Sequence, residues 1–307
     1  MSSRRNFIEK SLWLAAGASM HTLLPFPVWA SDSRTVRLTI LHTNDVHSRL
    51  EPFPADAGKY AGLGGAARRA AIVQQIRQTH ENVLLFDSGD ILQGTPYFNM
   101  YHGKPEFEIM NAMAYDAATI GNHDFDSGME NLAHLTDLAN FPMLSANYDF
   151  RGTPMVQKTL PYTIFEKNDL KIGVFGIGIA LEGLVPPKLF GKTQYLNPIE
   201  KANEIAVHLK TEKNCDLVIC LSHLGFEYDT DKTSDKLLAA ASSHIDIILG
   251  GHTHTFLEKA YVAKNKEGKP TLINQVGWAG IWLGKLDISF EKRRKKLTII
   301  DANAPIR

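Results

Sequence analysis

Eight apolar runs of strand length recur along the chain: "RLTIL", "NVLLF", "AATI", "KIGVFGIG", "LVICL", "IDIIL", "TLINQV" and "KLDISF". Several are nearly continuous in apolar residues, as expected of strands buried on both faces. Helical patterns separate many of them. Ala66 to His80 carries Ala, Ile and Val at helical spacing, and Glu106 to Tyr115 places Phe107, Met110 and Met113 on one side. Asn197 before Pro198 reads as an N-cap with Pro at the first helical position, opening a helix to about Leu209. Thr233 or Ser234 can cap another through "DKLLAAA". Alternation of strand and helix predicts an α/β fold with mostly parallel sheets. No linker rich in Pro, Gly or Ser interrupts it, so residues 31–307 read as one domain.

The strands end in polar clusters. "RLTIL" runs into Asp45 and His47, "NVLLF" into Asp90, and "AATI" into "GNHDFD" with Asn122, His123 and Asp126. "LVICL" runs into His223, and "IDIIL" into "GGHTH" with His252 and His254. Ligands of α/β sheets bind beyond the carboxyl ends of strands, so these five strands deliver their donors to one rim. Asp45, His47, Asp90, Asn122, His223, His252 and His254 are mixed oxygen and nitrogen donors without a thiolate. Buried together, they would be costly without partners. Two cations sharing a carboxylate use such a set, each taking about four protein donors. The donor type suits manganese, iron, cobalt or zinc and argues against copper(I) or iron–sulfur. Paired ions of this kind serve phosphoester hydrolysis. A lone strand-end His is more often a hydrogen-bonded core residue than a ligand. "GNHD" and "GGHTH" are sharper, because turn glycines and donors coincide.

Charge and cysteine narrow the partners. The 33 Lys+Arg balance 33 Asp+Glu, so no global field favours a nucleic-acid polymer or an anionic membrane. The basic run Lys292 to Lys296 reads as an exposed hairpin turn between "GKLDISF" and "LTIIDA". Cys215 and Cys220 flank one apolar run. In an extended strand they lie roughly 16 Å apart, too far for a disulfide.

The N-terminus reads as a targeting segment. Arg4 and Arg5 precede Phe7 and Lys10, a moderately apolar stretch spans Ser11 to Leu24, and "VWA" (Val28 to Ala30) fits signal-peptidase cleavage. Residues 1–30 resemble a twin-arginine signal, which directs export of folded proteins to the periplasm or another extracytoplasmic space. The alternatives are an ordinary secretory signal or an uncleaved anchor. No Cys follows the cleavage site, so no lipid anchor is expected there.

The ordered set Asp-x-His, Gly-Asp, Gly-Asn-His-Asp, His and Gly-His-x-His resembles the calcineurin-like metallophosphoesterases. "LHTNDVHSR", "GGAARR", "SGDILQGTPYF", "TIGNHDFD", "FPMLSANY" and "GGHTHTF" narrow the resemblance to the metal-binding domain of the 5'-nucleotidase family, over nearly all of residues 36–290. The resemblance implies a four-layer α/β/β/α sandwich. It implies that Asp45, His47, Asp90 and His254 hold one ion. Asp90, Asn122, His223 and His252 would hold the other, with Asp90 bridging and a metal-bridging hydroxide attacking phosphorus. His123 and Asp126 would form a dyad acting on the phosphoryl group, with Asn122 and His123 facing the substrate. Asp126 is alternatively a helix N-cap for "SGMENLAHL". Asp124 is read as a partner behind the site, and Arg49 as a phosphate contact or a surface salt bridge.

The expected function is that of an exported dinuclear-metal phosphomonoesterase acting on a small phosphorylated substrate, most readily a nucleotide. A cyclic phosphodiester, a nucleotide-sugar pyrophosphate or a thiosulfate-type ester are alternatives on the same site. A metal-dependent binding or scaffold protein is the non-enzymatic one. Secreted members of the family usually carry a second, nucleoside-binding domain after the metal domain. Here the chain stops at "DANAPIR", so that domain is expected from a separate polypeptide, or else base selectivity is expected to be weak. His134 and His208 read as partly exposed helix residues, and His80 and His244 as loop residues. His42 is a candidate support for the site, and His102 a candidate neighbour of the pocket.

Overall fold

The apolar runs form strands whose two faces bury against different layers, and this alternation builds the fold. The computed structural model describes residues 35–291 and 296–307; the signal-like segment 1–30 and the basic residues 292–295 lie outside them. In chain order the first half comprises β1 (Thr35–Thr43), α1 (Ala66–Thr79), β2 (Val83–Asp87), α2 (Pro96–Tyr101), α3 (Lys104–Ala112), β3 (Ala117–Thr119), α4 (Met129–Leu138), β4 (Met143–Leu144), β5 (Tyr148–Asp149), β6 (Tyr162–Lys167) and β7 (Leu170–Ile177). The second half comprises α5 (Pro187–Phe190), β8 (Gln194–Tyr195), α6 (Pro198–Val207), β9 (Leu217–Ser222), α7 (Asp235–Ala241), β10 (Ile247–Leu249), β11 (Tyr261–Lys264), β12 (Pro270–Asn274), β13 (Trp282–Glu291), β14 (Lys296–Asp301) and β15 (Ala304–Pro305).

One sheet runs β14-β13-β1-β2-β3-β4, with β15 on β13, and the other runs β11-β12-β10-β9-β7-β6. The strands β1 to β4 pair in parallel, as do β7, β9, β10 and β12. Antiparallel strands finish the edges, including β13 against β14; the turn read at the basic run lies outside the described residues.

Because side chains alternate along a strand, each sheet has two apolar faces. Ile40, Leu84 and Phe86 of the first sheet share a core with Val174, Ile219 and Leu249 of the second. Their neighbours Leu41, Leu85 and Ala118 face outward onto Val73 of α1, Phe107 of α3 and Leu132 of α4. Phe175, Val218 and Ile248 of the second sheet face Ile205 of α6 and Leu238 of α7. The layers are therefore α/β/β/α.

The helix caps follow the sequence in two cases. Asn197 accepts from the amides of Ile199 and Glu200, and Ser234 accepts from that of Leu237. Two boundaries differ. The pattern read as Glu106 to Tyr115 folds as α3 from Lys104 to Ala112, with Pro at its start. The helix after "GNHDFD" starts at Met129 behind Gly128, not at an Asp126 cap. Gly128 has φ of 84°, a conformation an L side chain adopts rarely. Cys215 and Cys220 are buried free thiols.

Candidate metal centre

Every expected donor lies on a loop that leaves the carboxyl end of a strand. β1 leads to Asp45 and His47, β2 to Asp90, β3 to Asn122, β9 to His223, and β10 to His252 and His254. These loops are tightly wound. Asp45, His47, Asp90, His252 and His254 all have positive φ, between 50° and 72°. Non-glycine residues held in this region cost free energy and concentrate at functional sites. Here the strained backbone turns five donor side chains inward.

The donors form two groups, Asp45, His47 and His254 in one and Asp90, His223 and His252 in the other, with ligand atoms within 4.8 Å of one another in each. In the first, His47 Nε2 and His254 Nε2 face each other at 3.0 Å, and His254 Nε2 is 3.4 Å from Asp45 Oδ1. In the second, His223 Nε2 is 3.0 Å from Asp90 Oδ2. The two groups meet at the two carboxylates: Asp90 Oδ2 is also 3.9 Å from His47 Nε2, and Asp45 Oδ1 is 3.9 Å from His223 Nε2. Asn122 is buried between Gly121 and His123, which both abut Asp90, and among the described residues neither its Oδ1 nor His223 Nε2 has a hydrogen-bond partner. Buried acceptors are normally satisfied. A bound cation would satisfy these converging nitrogen and oxygen atoms.

The electrostatics agree. Burial pushes His223 toward the neutral form, but the Asp90 carboxylate and then Asp45 outweigh it and raise its pKa. The field at this point favours positive charge. Burial lowers His252 to about 3 and also lowers His47, so both imidazoles present neutral, metal-competent nitrogens.

Behind the donors lies a layer of hydrogen bonds. His223 Nδ1 lies 2.7 Å from the Ser88 carbonyl and His47 Nδ1 3.2 Å from that of Leu92, the usual way of fixing the tautomer and plane of a ligating ring. Asp124 accepts four backbone amides: Asp90 at 3.1 Å, Ile91 at 2.9 Å, Leu92 at 3.1 Å and Gly121 at 2.8 Å. It ties the β2 and β3 loops together, which realises its expected place behind the site. Burial and then the charge of Asp90 push its carboxyl up to about 7. Asn44, which sequence reasoning missed, donates to Asp45 Oδ2 and to the Gly277 carbonyl, both at 2.6 Å. The Asp45 carboxylate also accepts the His252 amide at 3.0 and 2.9 Å.

His123 lies beside the donors rather than among them. Its ring sits 5.2 Å from that of His47, and its Nδ1 lies 2.7 Å from Asp126 Oδ2. The hydrogen bond that His123 Nδ1 donates to Asp126, acting against burial, raises the His123 pKa. Nε2 makes no hydrogen bond among the described residues. Arg49 forms no salt bridge among the described residues; its guanidinium stands 4.4 Å over the Phe53 ring. His42 is fully buried and contacts Asn274 Nδ2 at 2.8 Å rather than a donor residue, so it braces β1 to β12. His102 is exposed and packs against Phe98 and Ser127.

Comparison with known proteins converges on one fold. The sequence profile of the calcineurin-like phosphoesterases matches residues 38–256. Snake venom 5'-nucleotidase of Naja atra is 36% identical over 281 residues, covering 84% of this chain and 51% of that protein. The structure of a 5'-nucleotidase precursor from Thermus thermophilus superposes with a TM-score of 0.79 at 30% identity, over 88% of this chain and 55% of the other. The calcineurin-like phosphoesterase YfkN of Bacillus subtilis gives a TM-score of 0.72 at 29% identity, over 89% and 91%. The chain spans about half the length of the curated relatives it matches.

Proposed function

The chain belongs to the calcineurin-like phosphoesterase family, and from that premise we propose that it is an exported, dinuclear-metal phosphomonoesterase of the 5'-nucleotidase type, with residues 31–307 as its catalytic domain. The observation that carries the reading is Asp90, whose Oδ2 lies 3.0 Å from His223 Nε2 and 3.9 Å from His47 Nε2, between the two donor groups. Asp45, His47, Asp90 and His254 would hold one divalent ion. Asp90, Asn122, His223 and His252 would hold the other. Manganese, iron, cobalt and zinc all suit these donors. Bound there, a pair of such ions binds phosphate oxygens, lowers the pKa of a water and neutralises developing charge.

The chain's own residues do the rest. His123 holds a proton on Nε2, directed at the phosphoryl or leaving-group oxygen, and Asp126 favours that protonated form by pairing at Nδ1. A donor aimed where negative charge develops accelerates the chemical step. The tightly wound loops fix these groups before substrate arrives, which avoids reorganisation during reaction. A nucleotide is the proposed substrate because the relatives are named 5'-nucleotidases. Selectivity for the nucleoside is proposed to come from a segment outside residues 36–307 or from another polypeptide. Export rests on Arg4 and Arg5 ahead of the apolar stretch, and a venom protein among the relatives is in keeping with it.

A metal-supplemented assay with a chromogenic phosphomonoester and a phosphodiester tests the proposal. Faster hydrolysis of the monoester, abolished by chelator and restored by metal, is the expected result. Preference for the diester favours the phosphodiesterase alternative, and turnover of neither ester by the metal-loaded chain contradicts the enzyme reading.

A further inference from the structure

Of the four imidazoles in the two donor groups, His252 and His254 lack a backbone anchor at Nδ1 among the described residues, and His254 is the one that an aromatic side chain other than histidine stacks on. His223 and His47 are anchored through Nδ1 to backbone carbonyls, and His252 packs edge-on against His223, with ring centroids 5.3 Å apart. Among the described residues, the one hydrogen-bonding contact of the His254 ring is its Nε2 against His47 Nε2, through the donor atom itself. The His254 side chain is also 39% exposed. A ring free to turn must be ordered when a cation binds, and that ordering lowers affinity.

One residue lies flat on this ring. The Trp278 indole is parallel to the His254 imidazole to within 8°, with centroids 5.7 Å apart. Trp278 is itself wedged. Phe53 meets it edge-on at 5.8 Å and Tyr60 at 6.2 Å, and these two rings pack together at 5.6 Å. The backbone on either side is strapped to both donor loops. The Val276 amide donates to Asn44 Oδ1 at 3.0 Å, the Gly277 amide to the Thr255 carbonyl at 2.9 Å, and the Ala279 amide to the Asp45 carbonyl at 2.7 Å. Trp278 therefore stands on a short strap between the Asp45 loop and the His254 loop, with its face turned to an imidazole that lacks a backbone anchor at Nδ1.

We infer that Trp278 is a positioning residue that fixes the plane of His254, replacing by aromatic stacking the hydrogen bond that anchors His47 and His223, and thereby sets the affinity of the cation site formed with Asp45 and His47. The inference rests on the metal reading given above. It assigns to Trp278 a role in metal retention rather than in substrate contact, and it confines that role to one of the two ions.

The test is a cobalt(II) titration of the full chain after chelator stripping, read by calorimetry and by visible absorbance of the bound ion. Wild type is expected to take up two ions. Trp278→Ala should weaken one binding step by roughly 10- to 100-fold, the scale seen when support of a ligating histidine is lost, and should leave the other step within about threefold. The weakened step should be the one that His254→Ala abolishes. Trp278→Phe should restore affinity, since a ring still stacks, and Trp278→Leu should not. If Trp278→Ala disrupts folding, the Phe and Leu variants decide the matter. The inference is overturned if wild type and Trp278→Ala both bind two ions with equal affinities, if both steps weaken together, or if Leu serves as well as Phe. Fewer than two ions in wild type would instead contradict the dinuclear reading, and the inference with it.

Discussion

His123 Nδ1 lies 2.7 Å from Asp126 Oδ2 across a single 3-10 turn. The backbone amide of the same histidine donates to Asp90 Oδ1 at 2.7 Å. The residue proposed to act on the phosphoryl group is thus hung, by its main chain, from the carboxylate proposed to join the two ions. Its side chain is aimed by a different carboxylate. Metal holding and proton holding are divided between Asp90 and Asp126, and they are separable by mutation.

His123→Ala should accordingly leave both ions bound while lowering kcat by roughly 10²–10³, the scale of one lost charge-stabilising donor. Asp126→Asn should act in the same direction more weakly, because the imidazole remains in place. Metal content by elemental analysis together with steady-state kinetics checks this. Loss of metal in His123→Ala, or an unchanged kcat, contradicts the division of roles.

Gly121 has no room for a side chain. A Cβ there would lie 2.2 Å from Asp90 Oδ1 and 2.4 Å from the Asp90 amide nitrogen, so Gly121→Ala must displace the shared carboxylate or its loop. Both metal-binding steps should weaken in this variant. A titration indistinguishable from wild type would show that the loop yields without moving Asp90.

Asp124→Asn replaces one carboxylate oxygen by an amino group facing two of the four amides that Asp124 accepts. Two buried amides lose their acceptor, at about 1–3 kcal/mol each. The metal-free protein should melt at a lower temperature, and the metal-loaded protein should lose affinity as the Asp90 loop loosens. An unchanged melting temperature for the metal-free variant is the result against this account.

The strands and the rim were legible because they are local. An apolar run that breaks into Gly, Asp and His announces both a buried strand and its polar end, and all seven donor residues sit where those breaks place them. The stacking order of the layers was not local. Periodicity shows that a strand has two buried faces but not what covers each, and only the family resemblance supplied the sandwich. The residues missed act through distant backbone. Asn44 reaches Gly277, and Trp278 lies flat on His254, so nothing near them in sequence marks their role. Of the two readings of Asp126, the pairing with His123 is the one the structure has; Gly128, not Asp126, opens α4.

Cys215 and Cys220 are buried, and burial raises both thiols, Cys220 well above its ordinary range. The thiolate is the reactive form, so both should resist alkylating reagents in the native protein and react fully after denaturation. Rapid labelling of the folded chain at neutral pH would contradict the buried placement of Cys215 and of Cys220 in β9.

The central claim is that Asp90 joins two cations, and metal stoichiometry tests it most directly. Elemental analysis of active protein should give about two divalent ions per chain, and Asp90→Ala should weaken both, whereas His254→Ala should weaken one. A fully active protein holding one ion or none, or an Asp90→Ala variant that retains two, would contradict the account.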